Sequence, residues 1–143
     1  AIKTTEAHHF RRIAFQRMRQ SGKEVDEILY HSRISGFGVN DGNGVMFVSC
    51  VGEIFPSGFL PVSAGNVRKD NLTAIYRDAP LFRAMRDKDH LKGKCGLCSY
   101  KGICGGSRSR AFDVTGDYLA SDPLCAYNPK EEIREELKEA VGS

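Results

Sequence analysis

A chain of 143 residues with 41% hydrophobic and 27% charged residues has the make-up of one soluble globular domain, or of one domain with an appendage. No apolar run approaches the roughly 20 residues that cross a bilayer, and no secretory h-region opens the chain, so a cytoplasmic location is expected and a membrane partner is not. The net charge of +3 is mild, and the aromatic residues sit at apolar-face positions instead of interleaving with the basic ones, which argues against a nucleic-acid partner.

The first residue is Ala1 and not Met, which suggests a piece of a longer protein, although removal of a start methionine would look the same. From Glu6 to Gln20, Ala7, Phe10, Ile13, Ala14 and Met18 recur at helical spacing, and Thr5 is available as an N-cap. His8 and His9 fall on the polar side of this helix. As vicinal helical residues they point about 100° apart, so a solvated helix start is expected and not a shared metal site. Ser21-Gly22 is expected to break the helix, and Val25 to Tyr30 is a candidate for a further short helical piece. "GFGVNDGNG" then reads as punctuation. "VMFVSC" and "EIFPSGFLPV" are expected to form a hairpin about Val51-Gly52. Pro56 and Pro61 make the second run an edge strand or one that leaves the sheet early. "AGNV" is a second turn, Asp70 is the expected cap of a helix carrying Leu72, Ile75 and Tyr76, and Pro80 opens another with Leu81, Phe82 and Met85. From Asp87 to Asn128 no periodicity is visible. A stretch that long needs something else to organise it. The tail after Pro129 is a polar helix with Ile133, Leu137 and Val141 on one side.

Four of the five cysteines fall in that aperiodic stretch, as Cys95-x2-Cys98-x5-Cys104 and then Cys125. A disulfide scaffold is disfavoured by the odd count and the lack of a secretory context, and a thioredoxin-like pair by the lack of a βαβ unit. Four thiolates suit a tetrahedral zinc or a [4Fe–4S] cluster. Zinc ribbons usually carry two C-x2-C knuckles and this chain has one, but spacing leaves both groups open. Gly93, Gly96, Gly102, Gly105 and Gly106 allow close backbone approach, and Lys92, Lys94, Lys101, Arg108 and Arg110 would offset the thiolate charge of either. Cys50, at a strand end, is expected to be a buried or half-buried structural thiol. Tyr100 and Tyr127 flank the ligands as shields or as plain packing, and His90 is a weak accessory candidate.

"GEIFPSGFLPVSAGNV", "LTAIYRDAPLFRAMRD" and "KGKCGLCSYKGICGGSRSRAFDVTGDYLASDPLCAYNP" resemble the C-terminal accessory region of radical SAM enzymes of the SPASM group, in the branch acting on tetrapyrroles (haem and haem d1 biosynthesis). "KTTEAHHFRR" resembles the stretch near the end of the barrel in that branch, so the likeness covers roughly residues 2 to 129. A full SPASM pattern, C-x9–15-G-x4-C, gap, C-x2-C-x5-C-x3-C, gap, C, holds two auxiliary clusters. Here Gly52 matches the glycine, but Ser57 and Arg108 stand at two ligand positions of the first cluster, and no cysteine precedes Gly52 at the required distance. The resemblance implies one auxiliary [4Fe–4S] cluster on Cys95, Cys98, Cys104 and Cys125. The C-x3-C-x2-C motif that binds the cluster cleaving S-adenosylmethionine is absent, so the chain is not catalytically complete alone.

The expected fold class is α+β: an amphipathic helix, a small antiparallel hairpin with short helices, and a glycine-rich, cysteine-ligated loop. Residues 1–35 are expected to be a helical segment resembling the end of a radical SAM barrel, 36–129 the SPASM-like domain and 130–143 a polar C-terminal helix. The implied function is that of an auxiliary cluster domain of a tetrapyrrole- or peptide-modifying oxidoreductase, serving electron transfer and shaping of the substrate site. A barrel domain, in the same chain or another, would bind S-adenosylmethionine, and a ferredoxin or flavodoxin would supply electrons. Arg108 and Arg110 are candidates for binding substrate carboxylates or tuning the cluster, or for structural bonds to loop carbonyls and to Asp113, Asp117 or Asp122. The alternative reading is a zinc-stapled binding module without redox role.

Overall fold

The computed structural model describes residues 6–24 and 39–130. Along the chain these form α1 (His9–Gln20), β1 (Asn40–Asp41), β2 (Gly44–Val45), β3 (Phe47–Val48), β4 (Glu53–Phe55), β5 (Gly65–Asn66), α2 (Leu72–Asp78), α3 (Pro80–Arg86), a 3-10 turn (Lys88–His90), α4 (Gly93–Leu97) and α5 (Arg108–Thr115). The class is α+β. The helical piece at 25–30, the Thr5 cap and the tail helix lie outside the described residues.

The hairpin forms where the apolar pattern puts it. Gly52 takes a φ of +90°, which a side chain would resist, and turns β3 back onto β4 with Phe47 opposite Phe55 and Val48 opposite Ile54. β4 is the central strand and not an edge one, because Gly65–Asn66, expected as a turn, pairs with its other side as β5. Pro56 ends β4 early, as a residue without an N–H must. β1 and β2 make a separate short parallel pair.

α2 is capped by Asn71, whose side chain accepts from the Ala74 N–H at 3.0 Å, and not by Asp70. Asp70 is engaged elsewhere: its carboxylate accepts from the Asn66 N–H at 2.8 Å and closes the turn after β5. Pro80 opens α3 as expected. Behind the sheet and these helices, Ile54, Leu60, Phe82 and Met85 are buried as the apolar core.

Further expectations change. α1 begins at His9 and not Glu6, and its buried aromatic is Phe15, while Phe10 is 37% exposed. His8 is buried instead of solvated. Cys50 is exposed, because it lies in the turn beyond β3 and not within the strand. The stretch from 87 to 128 also holds more regular structure than periodicity shows: the 3-10 turn, α4 and α5. These pieces are too short, and too occupied with polar and sulfur contacts, to display an apolar stripe. Among the described residues no helix is long and apolar enough to cross a membrane.

Candidate metal centre

Each cysteine of the quartet is delivered by a different local device. α4 carries Cys95 and ends on Cys98, whose extended backbone terminates the helix. A turn over 99–103 brings the chain to Cys104, and Gly105 and Gly106 follow at φ of +68° and +64°. Those left-handed glycines reverse the chain into α5, whose N-cap Ser107 accepts from the Arg110 N–H at 3.1 Å. A Cβ on Gly106 would stand 2.6 Å from Arg108 Nη2 and 3.3 Å from Cys95 Sγ, so only glycine fits there. Cys125 arrives last, after a turn built on Asp122.

Cys95, Cys98, Cys104 and Cys125 line one cavity, shared with His9, Arg12 and Tyr127. The structure thus brings the whole predicted quartet together and leaves Cys50 and His90 out. Among the described residues no three His, Cys, Asp or Glu side chains converge closely enough to hold a single metal ion; the thiols surround a space.

Donors are aimed at the sulfurs. The Asp122 N–H approaches Cys95 Sγ at 3.4 Å, and the backbone at Tyr100 and Gly106 bonds to Cys98 and Cys104. Burial pushes the Cys98, Cys104 and Cys125 thiols above their ordinary range, and neighbouring thiolates push them further, while those N–H groups and, at Cys125, Lys94 pull the other way. Protonated thiols are therefore favoured until a cationic centre takes them as ligands.

The cations around the cavity are arranged to meet that charge. Arg108 is fully buried: Nη1 donates to the Tyr118 and Ala120 carbonyls at 3.1 and 2.7 Å, Nε to the Gly106 carbonyl at 3.4 Å, and Nη2 lies 3.7 Å from Cys95 Sγ. Its polar partners among the described residues are carbonyls and sulfur, so these contacts match the loop-carbonyl reading of this residue. Lys88 donates to the Met85 carbonyl at 2.9 Å; burial first, and the Arg108 cation second, lower its pKa to about 8, with Cys104 among the groups opposing the shift. Arg11, bonded to the Val39 carbonyl, is lowered by burial and supported by the Cys104 charge. Lys94 bonds the Cys125 carbonyl.

Arg110 forms a two-pronged pair with Asp122, Nε to Oδ1 at 2.9 Å and Nη2 to Oδ2 at 2.7 Å. Burial works against the Asp122 charge, but bonds from Arg110 and from the Ser107 and Leu124 N–H groups outweigh it and hold the carboxyl down to about 2. Of the other acids expected as partners, Asp117 pairs with Lys92 at 2.5 Å and Asp113 is exposed.

The sequence reading passes over two residues that brace this loop. Buried Asn40 donates to the Gly106 carbonyl at 2.9 Å, and buried Asp41 accepts from the Ser109 N–H and hydroxyl at 3.1 and 3.0 Å. Both sit in "GVNDGNG", where turn-forming residues mask their long-range role. α1 is the other omission. Phe15 meets the Tyr100 ring edge-on at 6.0 Å, Tyr100 meets Tyr127 at 5.7 Å, and Arg12 stacks 4.4 Å over Tyr127. A polar, aromatic seam of that kind carries no hydrophobic periodicity.

No protein-family model matches the chain. Among characterised proteins it is 44% identical over 128 residues to an AdoMet-dependent heme synthase of Methanosarcina barkeri, covering 90% of this chain and 37% of that protein. It is 37% identical over 129 residues to an AdoMet-dependent heme synthase of Nitratidesulfovibrio vulgaris, covering 90% and 35%. Over 88 residues it is 33% identical to a pre-heme d1 synthase of Dinoroseobacter shibae, covering 59% and 22%. The chain thus spans about a third of the length of the heme synthases it matches.

Proposed function

We propose that this chain, which belongs to the SPASM-containing radical SAM enzymes and within them to the haem branch, is an auxiliary [4Fe–4S]-binding domain. Cys95, Cys98, Cys104 and Cys125 would be the ligands. The observation that carries the reading is the cavity itself: thiols from separate turns surround one space, with N–H groups on three sulfurs and the buried Arg108 guanidinium against Cys95. A fully buried cation is costly without a counter-charge, and a thiolate-ligated anionic cluster supplies one. Four cysteines that line one cavity without converging on a single point suit a polynuclear group better than one zinc, which needs all four sulfurs on one point.

When bound, the cluster offers one-electron chemistry. The chain's own residues set its surroundings: Arg108, Lys88 and Arg11 balance charge, Gly105 and Gly106 let the backbone close in, and Asn40 and Asp41 fix the loop. Four protein ligands leave no iron open, so the role assigned is electron transfer and shaping of a substrate site, with a tetrapyrrole as the substrate class favoured by the haem-branch kinship. A radical SAM barrel, in the same polypeptide or another, completes the enzyme, and a ferredoxin or flavodoxin is the electron donor. Residues 36–129 are assigned to the cluster domain, with 1–35 and 130–143 flanking it.

Anaerobic purification of the 143-residue chain tests the assignment. Brown protein with four irons and four acid-labile sulfides per chain is expected. A colourless chain holding one zinc, and no iron after anaerobic reconstitution, overturns the cluster.

A further inference from the structure

Among the described residues, four buried side-chain polar atoms have no hydrogen-bond partner: His8 Nδ1, His9 Nδ1, Arg12 Nε and the Tyr127 hydroxyl. Buried polar groups in native folds are almost always satisfied, so a cluster of orphans calls for a partner that fills the gap. Three of these four belong to residues that line the four-cysteine cavity. Two of them, His9 and Arg12, stand three residues apart on α1 and so share one helical face.

We propose that His9, Arg12 and Tyr127 are hydrogen-bond donors to the iron–sulfur cluster, made largely by a helix outside the cysteine segment, and that they raise its reduction potential. The inference rests on the cluster reading above. The geometry of Arg12 is the strongest part. Its Nη1 donates to Gln16 Oε1 at 2.6 Å and its guanidinium carbon lies 4.4 Å over the Tyr127 ring, which holds the fork while Nε has no partner. Tyr127 also meets the Tyr100 ring in a T-shaped contact, so two neighbours fix its ring. Sulfide and thiolate sulfurs are acceptors for such donors. Each N–H···S or O–H···S contact stabilises the more negative, reduced cluster, and so does the Arg12 charge. The arrangement also gives α1 a reason to dock with polar residues: its cavity-facing side is selected to bind an anion and not an apolar core.

The test uses the 143-residue chain loaded anaerobically, with iron and sulfide assayed before an EPR-monitored redox titration. Arg12→Leu is expected to lower the equilibrium constant for one-electron reduction about tenfold, a shift of about 59 mV to more negative potential. Tyr127→Phe and His9→Phe are expected to lower it about threefold each, and Arg12→Lys, which keeps the charge and drops Nε, to recover part of the Arg12→Leu loss. Tyr127→Phe removes one oxygen and keeps both ring contacts, so it reports even if a larger change prevents loading. Its reduced cluster should also lose an exchangeable-proton coupling seen in the parent by ENDOR. Midpoints within twofold of the parent in all these variants, at parental iron content, overturn the inference and leave the cluster reading standing. A parent chain that takes zinc and no iron overturns both.

Discussion

Residues 47–86 bury Ile54, Leu60, Phe82 and Met85 behind a three-stranded sheet, whereas residues 88–128 bury Arg108, Ser107 and Asp122 around four thiols. The first region closes by removing apolar surface from water, which needs no ligand. In the second, a guanidinium lies against sulfur and carbonyls, and thiols crowd together with their ionisation suppressed. One region is folded by its own side chains. The other is expected to gain much of its stability from the cluster proposed for its thiols.

The largest effect should come from removing that group. Stripping the metal with a chelator, or Cys125→Ala, should erase amide protection across 88–128 while 47–86 stays protected in hydrogen-exchange mass spectrometry. Equal loss in both regions would break the contrast. A smaller effect separates the regions by substitution. Phe82→Ala should cost about 3–5 kcal/mol in urea unfolding and leave iron content per folded chain unchanged. Arg108→Met strands the Tyr118 and Ala120 carbonyls, should cost about 2–4 kcal/mol, and should lower iron content as well. Iron retained at the parental level in Arg108→Met would detach the guanidinium from the cluster.

The smallest effect concerns pH and sits where α1 meets the loop. Burial first, then the Arg11 cation, with Arg110 adding, hold His8 down to about 4 against the pull of Asp41 and Asp122. Neutral His8 therefore supports the fold fully above about pH 6.5. As pH falls from there towards 4 the unfolded chain takes up the proton first, and about 2–3 kcal/mol of stability is lost. His8→Gln should flatten that part of the stability profile, read from urea midpoints between pH 4 and 7. A slope unchanged by the substitution would place the acid sensitivity elsewhere.

The legibility of the chain follows the same division. The hairpin about Gly52, the early end of β4 at Pro56 and the Pro80 helix are local matters of turn chemistry and alternation, and they stand where the pattern puts them. β5 was hidden because two residues reading as a turn pair only through a partner strand. α1 departs from its apolar stripe because its cavity side carries His9 and Arg12, with Gln16 bonded to Arg12, and polar residues of that kind read as solvent-facing in a sequence.

By itself, the amino-acid sequence showed Cys95, Cys98 and Cys104 at close, covalently fixed spacing with Cys125 further on, and the family resemblance singled these four out as one expected ligand set. It also determined that no C-x3-C-x2-C accompanies them. Only the tertiary structure decided what surrounds the quartet: Arg108 buried against Cys95, Asn40 and Asp41 bracing the loop from 64 to 68 residues away in sequence, and unpartnered polar atoms on three residues that line one cavity. Charge balance and hydrogen-bond satisfaction are settled between distant segments, so they become visible when those segments are in contact.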